Sequence, residues 1–166
     1  VIHRMPTFVL WVKPELEGLT EFWAPEDHCW KLDVRQGGGA EERHDIVIDP
    51  EDFTEVANTK DTKANLVMKF DKADKQQSYC NVVLLKDMKL APTSDGSGMV
   101  PLVAFDCRGL EPIKWTPTDG YCGAAEGGNT WEEIDLKNED WCEYDDKLDV
   151  PVQVNMKIEH EFRLRK

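Results

Sequence analysis

The C-terminal segment carries the clearest alternation of hydrophobic and polar positions in the chain. From Val152 to Leu164, apolar residues and His160 occupy one parity, and polar or charged residues occupy the other. A period of two is typical of a β-strand with one buried and one solvated face. At about 3.3 Å per residue this strand would span about 40 Å, so we expect it to bend or to carry a bulge. On the apolar parity, His160 is predicted to be a hydrogen-bonded core or rim residue.

Shorter segments rich in β-forming residues recur upstream and predict a mainly β chain. They lie at 7–12, 30–35, 46–48, 66–70, 82–85 and 102–105. Glycine-rich or polar stretches at 37–39, 93–98 and 120–128 are predicted to be turns. Asp49 followed by Pro50 is typical of a helix start and predicts a helix of at most two turns. We therefore predict an antiparallel β-sandwich or distorted barrel with at most one or two short helices.

Length and composition limit the class of protein. The chain has 166 residues, about one average domain. Its 40% hydrophobic residues and six tryptophans are too many for a disordered acidic tail. With 33 acidic against 20 basic residues, the net charge of −13 disfavours nucleic-acid binding. No apolar run reaches about 18 residues, so no ordinary transmembrane helix is expected.

The cysteines indicate a reducing compartment. All five are at least 15 residues apart, so the sequence contains no C-x-x-C pair for zinc or redox chemistry. Without a recognisable secretory signal, free thiols in the cytoplasm, or also in the nucleus, are the expectation.

Conventional catalytic or metal patterns are weak. His28 and Cys29 are neighbours on the chain, and adjacent strand residues face opposite ways, so a zinc site of these two with His44 is disfavoured. Cys107 is followed by Arg108, which could lower the thiol pKa, but no histidine base lies nearby in sequence. A structural role is favoured, in which Arg108 and Glu111 brace the turn after the strand.

An acidic and aromatic stretch is the best candidate surface. Residues 131–149 contain nine acidic residues and two lysines. Tryptophan and tyrosine are favoured anchors at protein interfaces, whereas a sugar-cleaving pair of carboxylates is not singled out by spacing. The candidate interaction residues are Trp131, Asp140, Trp141, Glu143, Tyr144 and Asp145, together with Arg108 and Glu111.

Several segments resemble the eukaryotic CXXC-motif-containing zinc-binding protein family. They read CRGLEP (107–112), AAEG (124–127), IDL (134–136), DW (140–141) and YD (144–145), followed by the closing β-run. The resemblance implies a mainly β fold, no established enzymatic activity and one zinc ion held by two C-x-x-C pairs. It places the initiator methionine at Met5, so residues 1–4 would be an extension, and 5–166 a single β domain or two β-subdomains sharing one core, about 5–90 and 91–166.

The zinc ligands that the resemblance implies are missing from this sequence. The first pair is expected at Asp33 and Gln36, and the second at Phe70 and Ala73. Phe70 and Ala73 carry no donor atom, and the remaining oxygen donors suit zinc poorly. In place of the metal, we expect Phe70 to supply apolar packing and Asp33 to pair with Lys69 or Lys72.

These features predict a non-enzymatic, zinc-free, acidic β-domain without cofactor. Its expected role is that of an interaction or adaptor module whose partner is another protein, with no nucleic-acid or membrane partner. Two alternatives remain open. One is zinc binding through replacement ligands such as His28, Cys29, Asp33 or Cys80, and the other is a carbohydrate-binding or carboxylate-dependent enzyme.

Overall fold

The computed structural model describes residues 5–85, 98–138, 140–155 and 159–165. These residues form sixteen β-strands and no helix, which confirms the mainly β prediction. In chain order the strands are β1 (Thr7–Val12), β2 (Glu15–Glu17), β3 (Glu21–Trp23), β4 (Trp30–Gln36), β5 (Glu42–Ile48), β6 (Thr54–Glu55), β7 (Lys63–Ala64), β8 (Leu66–Met68), β9 (Ser78–Val83), β10 (Val100–Arg108), β11 (Leu110–Thr116), β12 (Tyr121–Ala124), β13 (Thr130–Ile134), β14 (Asp140–Asp145), β15 (Val150–Asn155) and β16 (His160–Leu164).

The strands pair into antiparallel sheets. The largest has the order β16-β1-β10-β9-β8, and three smaller sheets have the orders β11-β4-β5, β13-β12-β3 and β14-β15-β2. Strands β6 and β7 form a short hairpin of their own. No sheet closes on itself within the described residues, so the arrangement is a sandwich of open sheets.

One hydrophobic cluster joins the sheets. It contains Leu10 and Trp30 from the first half of the chain with Phe105, Trp115 and Val154 from the second, all almost fully buried. Large aromatic side chains bury the most apolar area per residue, so this cluster supplies the main driving force for folding. The two halves of the chain therefore share a core.

The long alternating run at the C-terminus is divided between two sheets. Strand β15 pairs with β14 and β2, whereas β16 pairs with β1. This confirms that the run is not one straight strand; residues 156–158 lie outside the described part. His160 accepts a hydrogen bond from the backbone N–H of Trp115 at 3.1 Å, which confirms its predicted role.

Two local predictions were wrong. The segment after Asp49 is a turn, in which the Asp49 carboxylate accepts the N–H of Glu51 at 2.9 Å and the chain then extends into β6. The glycine-rich segment at 120–128 contains the buried strand β12. A side chain at Gly123 would lie 3.1 Å from Leu19 and 3.2 Å from Ile134, so glycine there permits close packing of the strand. Of the turn predicted at 93–98, residues 93–97 lie outside the described part.

A glycine corner connects the main sheet to the β11-β4-β5 sheet, in which Asp33 and Gln36 lie. Gly109 stands between β10 and β11 with a positive φ of 76°. Its carbonyl oxygen accepts the N–H of Gly37 at 3.0 Å and the hydroxyl of Ser78 at 3.1 Å. Three distant parts of the chain meet here, which fixes the β4–β5 turn next to the start of β9.

Candidate functional site

Asp33, the first implied ligand position, is buried in β4 and fully engaged by hydrogen bonds. Its carboxylate accepts Nδ1 of His44 at 3.0 Å and the backbone N–H of Asp45 at 2.9 Å. Burial alone would raise the pKa of Asp33, but these hydrogen bonds outweigh it and lower the pKa overall. The expected pairing with Lys69 or Lys72 is wrong, because the short β4–β5 hairpin already supplies a partner in His44.

Gln36, the second position, lies at the end of β4 and opens a reverse turn. Its carbonyl oxygen accepts the N–H of Gly39 at 3.0 Å, and its own N–H donates to the carbonyl of Glu41 at 2.8 Å. Gln36 and Gly39 therefore stand at the two ends of a four-residue turn, whereas Asp33 lies inside the strand. A neutral amide and a glycine do not replace a pair of thiolates.

Phe70 and Ala73, the third and fourth positions, lie on a second turn, and neither of these two residues has a metal-binding side chain. Phe70 is 5% exposed and belongs to the main hydrophobic cluster, as expected for an apolar replacement. The Asp74 carboxylate accepts the N–H groups of Phe70 and Asp71, both at 3.1 Å. The turn is thus closed by a carboxylate of its own.

Arg43 joins these two turns directly. It donates from Nη2 to the carbonyl oxygen of Phe70 at 2.5 Å, and its guanidinium carbon lies 5.6 Å from the centre of the Phe70 ring. Its Nη1 donates to the backbone carbonyl of Glu42 at 2.8 Å on its own strand. A positively charged side chain therefore connects the β4–β5 hairpin to the turn at Phe70, which we call the two ribbons, where the resemblance implies a zinc ion. The residues present do not fit zinc.

The proposed replacement ligands do not converge. Within the described ranges no group of three or more His, Cys, Asp or Glu side chains could hold a metal ion. His28 is buried against Trp30 and Tyr121, with ring centroids 4.5 Å apart in both cases, while Cys29 is exposed. Burial lowers the pKa of His28 to about 4 against the weaker attraction of Asp119 and Asp27. His28 is therefore a neutral core residue near pH 7.

Cys80 and Cys107 form a buried cross-strand pair of thiols. Their strands β9 and β10 place them opposite each other, with the sulfur atoms 3.6 Å apart. The hydrogen bond to Cys80, reinforced by burial, raises the pKa of the Cys107 thiol. A thiol held protonated and buried is a poor nucleophile, so the arrangement supports the structural role over the catalytic one.

The expected brace between Arg108 and Glu111 is absent. Glu111 instead pairs with Arg35, which donates to it from Nε at 2.9 Å and from Nη2. Arg108 ends β10 and lines a pocket beside residues 56–62 and Tyr79. Arg108 lies on β10 of the main sheet and Glu111 on β11 of the β11-β4-β5 sheet, so neither residue forms part of the acidic stretch.

The two tryptophans of the acidic stretch are partly buried, and most of its charged residues are exposed. Trp131 and Trp141 contact each other edge to face, with centroids 6.0 Å apart, and both pack against the core. Asp140 and Glu143 are exposed, and the Tyr144 side chain is 53% exposed. We call these five residues the acidic–aromatic surface.

Asp145 does not belong to this surface, contrary to expectation. It is 0% exposed, and its Oδ1 accepts Asn129 Nδ2 at 2.7 Å and the backbone N–H of Lys147 at 3.0 Å. Asp145 closes the β14–β15 turn, because a short carboxylate can bond to the backbone two residues further on.

Neither of two relevant pockets suits carboxylate-dependent sugar chemistry. The pocket that contains Trp11 has no carboxylate in its lining. The pocket that contains Asp27, Asp119 and Glu133 has no tryptophan. Neither combines the stacking ring and the two acids that such a reaction requires.

Sequence reasoning missed Arg43 and Tyr79. Arg43 stands among charged residues at the start of β5 and shows no pattern that distinguishes it from a solvated strand residue. Tyr79 lies opposite Arg108 across β9 and β10, a register that the sequence does not reveal. The alternation of buried and exposed residues along β10 is the one sequence signal for this pairing, and it becomes useful only when the neighbouring strand is known.

The chain is a mainly β protein in which two turns, at residues 36–39 and 70–74, contain or adjoin the implied ligand positions. A family model described as "CXXC motif containing zinc binding protein, eukaryotic" matches residues 9–163. The chain belongs to this family, and the resemblance found in the sequence is confirmed.

Individual relatives support this assignment over nearly the full chain. A Xenopus laevis "CXXC motif containing zinc binding protein" is 29% identical over 95% of this chain and 98% of its own length. The Caenorhabditis elegans "UPF0587 protein F46B6.12" is 30% identical over 91% of each chain. These names state zinc binding or no activity, and none names an enzyme.

Solved structures share the fold. A "Hypothetical protein from plasmodium falciparum" superposes with a TM-score of 0.84 at 22% identity, covering 96% of this chain and all of its own. The "Crystal Structure of C1orf123" gives a TM-score of 0.81 at 25% identity, covering 96% of this chain and 99% of that one.

Among the described residues, no helix is long and apolar enough to cross a membrane.

Proposed function

We propose that this chain is a zinc-free, non-enzymatic member of its family that acts as a protein-interaction module. The observation that carries the proposal is the occupation of the implied ligand positions by packing and hydrogen bonds. Asp33 is engaged by His44, Phe70 is buried, and Arg43 bridges the two turns. A guanidinium at this point would also repel a divalent cation.

The acidic–aromatic surface supports the interaction role. Strand β14 is at the edge of its sheet, and an edge strand presents unpaired backbone groups to which an extended peptide can add. Tyr144 is exposed on this strand, and Leu148 and Val150 are exposed beside it. Asp140 and Glu143 supply negative charge. The partner we propose is therefore a basic, extended segment of another protein, and free thiols fit the cytoplasm or nucleus.

Metal analysis tests the zinc-free part. Untagged protein, purified without chelator and dialysed against micromolar zinc, is expected to contain far less than one zinc per chain by mass spectrometry. Two four-cysteine variants serve as positive controls, and both contain Phe70→Cys and Ala73→Cys. The first control adds Asp33→Cys and Gln36→Cys. The second control adds Gln36→Cys and Gly39→Cys. Since Gln36 and Gly39 end a reverse turn, we expect the second control to bind more zinc. Stoichiometric zinc in the wild-type chain would refute the proposal.

Quantitative affinity capture tests the interaction part. The variant Asp140→Lys with Glu143→Lys reverses charge on the acidic–aromatic surface without touching the buried Asp145. The matched control, Glu51→Lys with Asp52→Lys, makes the same charge change on an exposed turn elsewhere. Partners lost by the first variant and kept by the control support the surface. Identical capture lists, or equal losses in both variants, would contradict it.

A further inference from the structure

A small polar pocket lies on the face of the main sheet opposite the core. It has a volume of about 350 Å³ and is bounded by the 56–62 segment, by Gln76 and Gln77, and by Tyr79 and Arg108. Hydroxyl and amide groups dominate its lining, and no carboxylate is among the lining residues. The chain as a whole has 33 acidic and 20 basic residues. The charge of the pocket is therefore opposite to that of the protein as a whole.

Arg108 supplies that charge, and it is available for a ligand. Within the described part of the chain, its guanidinium makes no hydrogen bond or ion pair, in contrast to Arg35 and Arg43, which are both engaged. Tyr79 lies directly opposite it on the adjacent antiparallel strand, so the two side chains share one face. Tyr79 is only 9% exposed, and its hydroxyl has no hydrogen-bond partner among the described residues.

The 56–62 segment is held in a fixed shape around the pocket. The N–H of Val56 donates to the carbonyl of Thr62 at 2.9 Å, and the hydroxyl of Thr59 donates to the carbonyl of Val56 at 2.6 Å. Oε1 of Gln77 accepts the N–H of Ala57 at 2.7 Å, which leaves the Gln77 amide NH₂ group as a donor. The pocket wall is thus preorganised, and Gln77 retains hydrogen-bond donors next to it.

We propose that this pocket binds the oxyanion group, phosphate or carboxylate, of a small molecule. A guanidinium presents paired N–H donors that match the geometry of both groups, and the Tyr79 hydroxyl adds a third donor beside it. The pocket volume falls at the lower end of the range for small-molecule sites, about 300–1,000 Å³. With a guanidinium and no carboxylate in the lining, the pocket favours an anion over a metal cation. This inference does not depend on the zinc-free or interaction proposals.

Titration with inorganic phosphate and, separately, with acetate tests the site and distinguishes the two oxyanions. Amide and arginine side-chain NMR signals report binding at residues 56–62 and at Arg108. At low ionic strength we expect saturable shifts confined to the pocket. Because a hydrogen-bonded charge is removed, Arg108→Gln should weaken binding roughly tenfold or more, and Tyr79→Phe roughly threefold to tenfold.

Arg165→Gln is the matched control, since it removes the same charge from an exposed arginine outside this pocket. Its binding should equal that of the wild-type chain. Arg108 is exposed and has no partner among the residues that the structure describes, so Arg108→Gln is expected to keep the dispersed spectrum of the folded protein. The proposal is overturned if neither anion gives saturable shifts, if Arg108→Gln binds as well as wild type, or if Arg165→Gln loses as much affinity as Arg108→Gln.

Discussion

Replacing Arg43 tests the idea that a side chain now joins the two ribbons of the family's zinc region. Arg43→Ala removes the charge-assisted hydrogen bond to the Phe70 carbonyl and the guanidinium contact with the Phe70 ring, along with exposed contacts to Glu41 and Glu42. A hydrogen bond to a charged group contributes about 1.5–3 kcal/mol, and an exposed cation–π contact about 0.5–1 kcal/mol. Because the Arg43 side chain is 38% exposed, we expect the lower part of this range, a loss of about 2 kcal/mol in unfolding free energy.

Equilibrium unfolding in urea measures the loss, provided that the m-value stays constant. Arg35→Ala is the control, since Arg35 pairs with Glu111 at a comparably exposed site but links β4 to β11 instead of the two turns. It should cost no more than about 1 kcal/mol. Hydrogen exchange at the amides of Phe70 and Asp71 should speed up in Arg43→Ala alone. A loss below about 0.5 kcal/mol, or unchanged exchange in this turn, would refute the bridging role.

Three further substitutions test other contacts, each by urea unfolding. Asp33→Asn should lower the unfolding free energy by about 1–2 kcal/mol. The loss should be larger at pH 6 than at pH 8, because the hydrogen bond to Asp33 raises the pKa of His44 and keeps it charged at the lower pH. An equal loss at both pH values would contradict this. Burial lowers the pKa of His28 from 6.5 to about 4 in the folded chain. Between these two pH values the unfolded chain binds a proton at His28 that the folded chain does not, so the unfolding free energy falls as the pH drops, by about 3 kcal/mol at most. His28→Gln should remove that part of the pH dependence, and an unchanged slope would argue against it. Gly109→Ala should cost clearly more than Gly38→Ala, since both glycines have positive φ but only at Gly109 would a Cβ meet another atom, 2.6 Å away; equal costs would show that the close contact is relieved elsewhere.

The strands were largely predictable because alternation reports directly which face is buried. The prediction at 7–12 coincides with β1, and that at 30–35 falls within β4. The helix predicted after Asp49 failed because a capping carboxylate stabilises a single turn as well as a helix start, and no apolar stripe follows to hold further turns. Strand β12 was missed because the close approach of Leu19 and Ile134 requires glycine, and glycine in sequence indicates a turn.

The candidate sites were less predictable because they depend on which charges are paired. The sequence predicted that Arg108 and Glu111 act together, yet Glu111 pairs with Arg35, 76 residues away, and Arg108 has no partner within the described ranges. Arg43 is likewise engaged, through a carbonyl 27 residues away. No local sequence pattern distinguishes an arginine that bonds within the protein from one that can bind a ligand, because the partners of an arginine depend on which distant strands pair. The same reasoning removes Asp145 from the interaction surface and leaves the guanidinium of Arg108 as the charge beside Tyr79 that a ligand can reach.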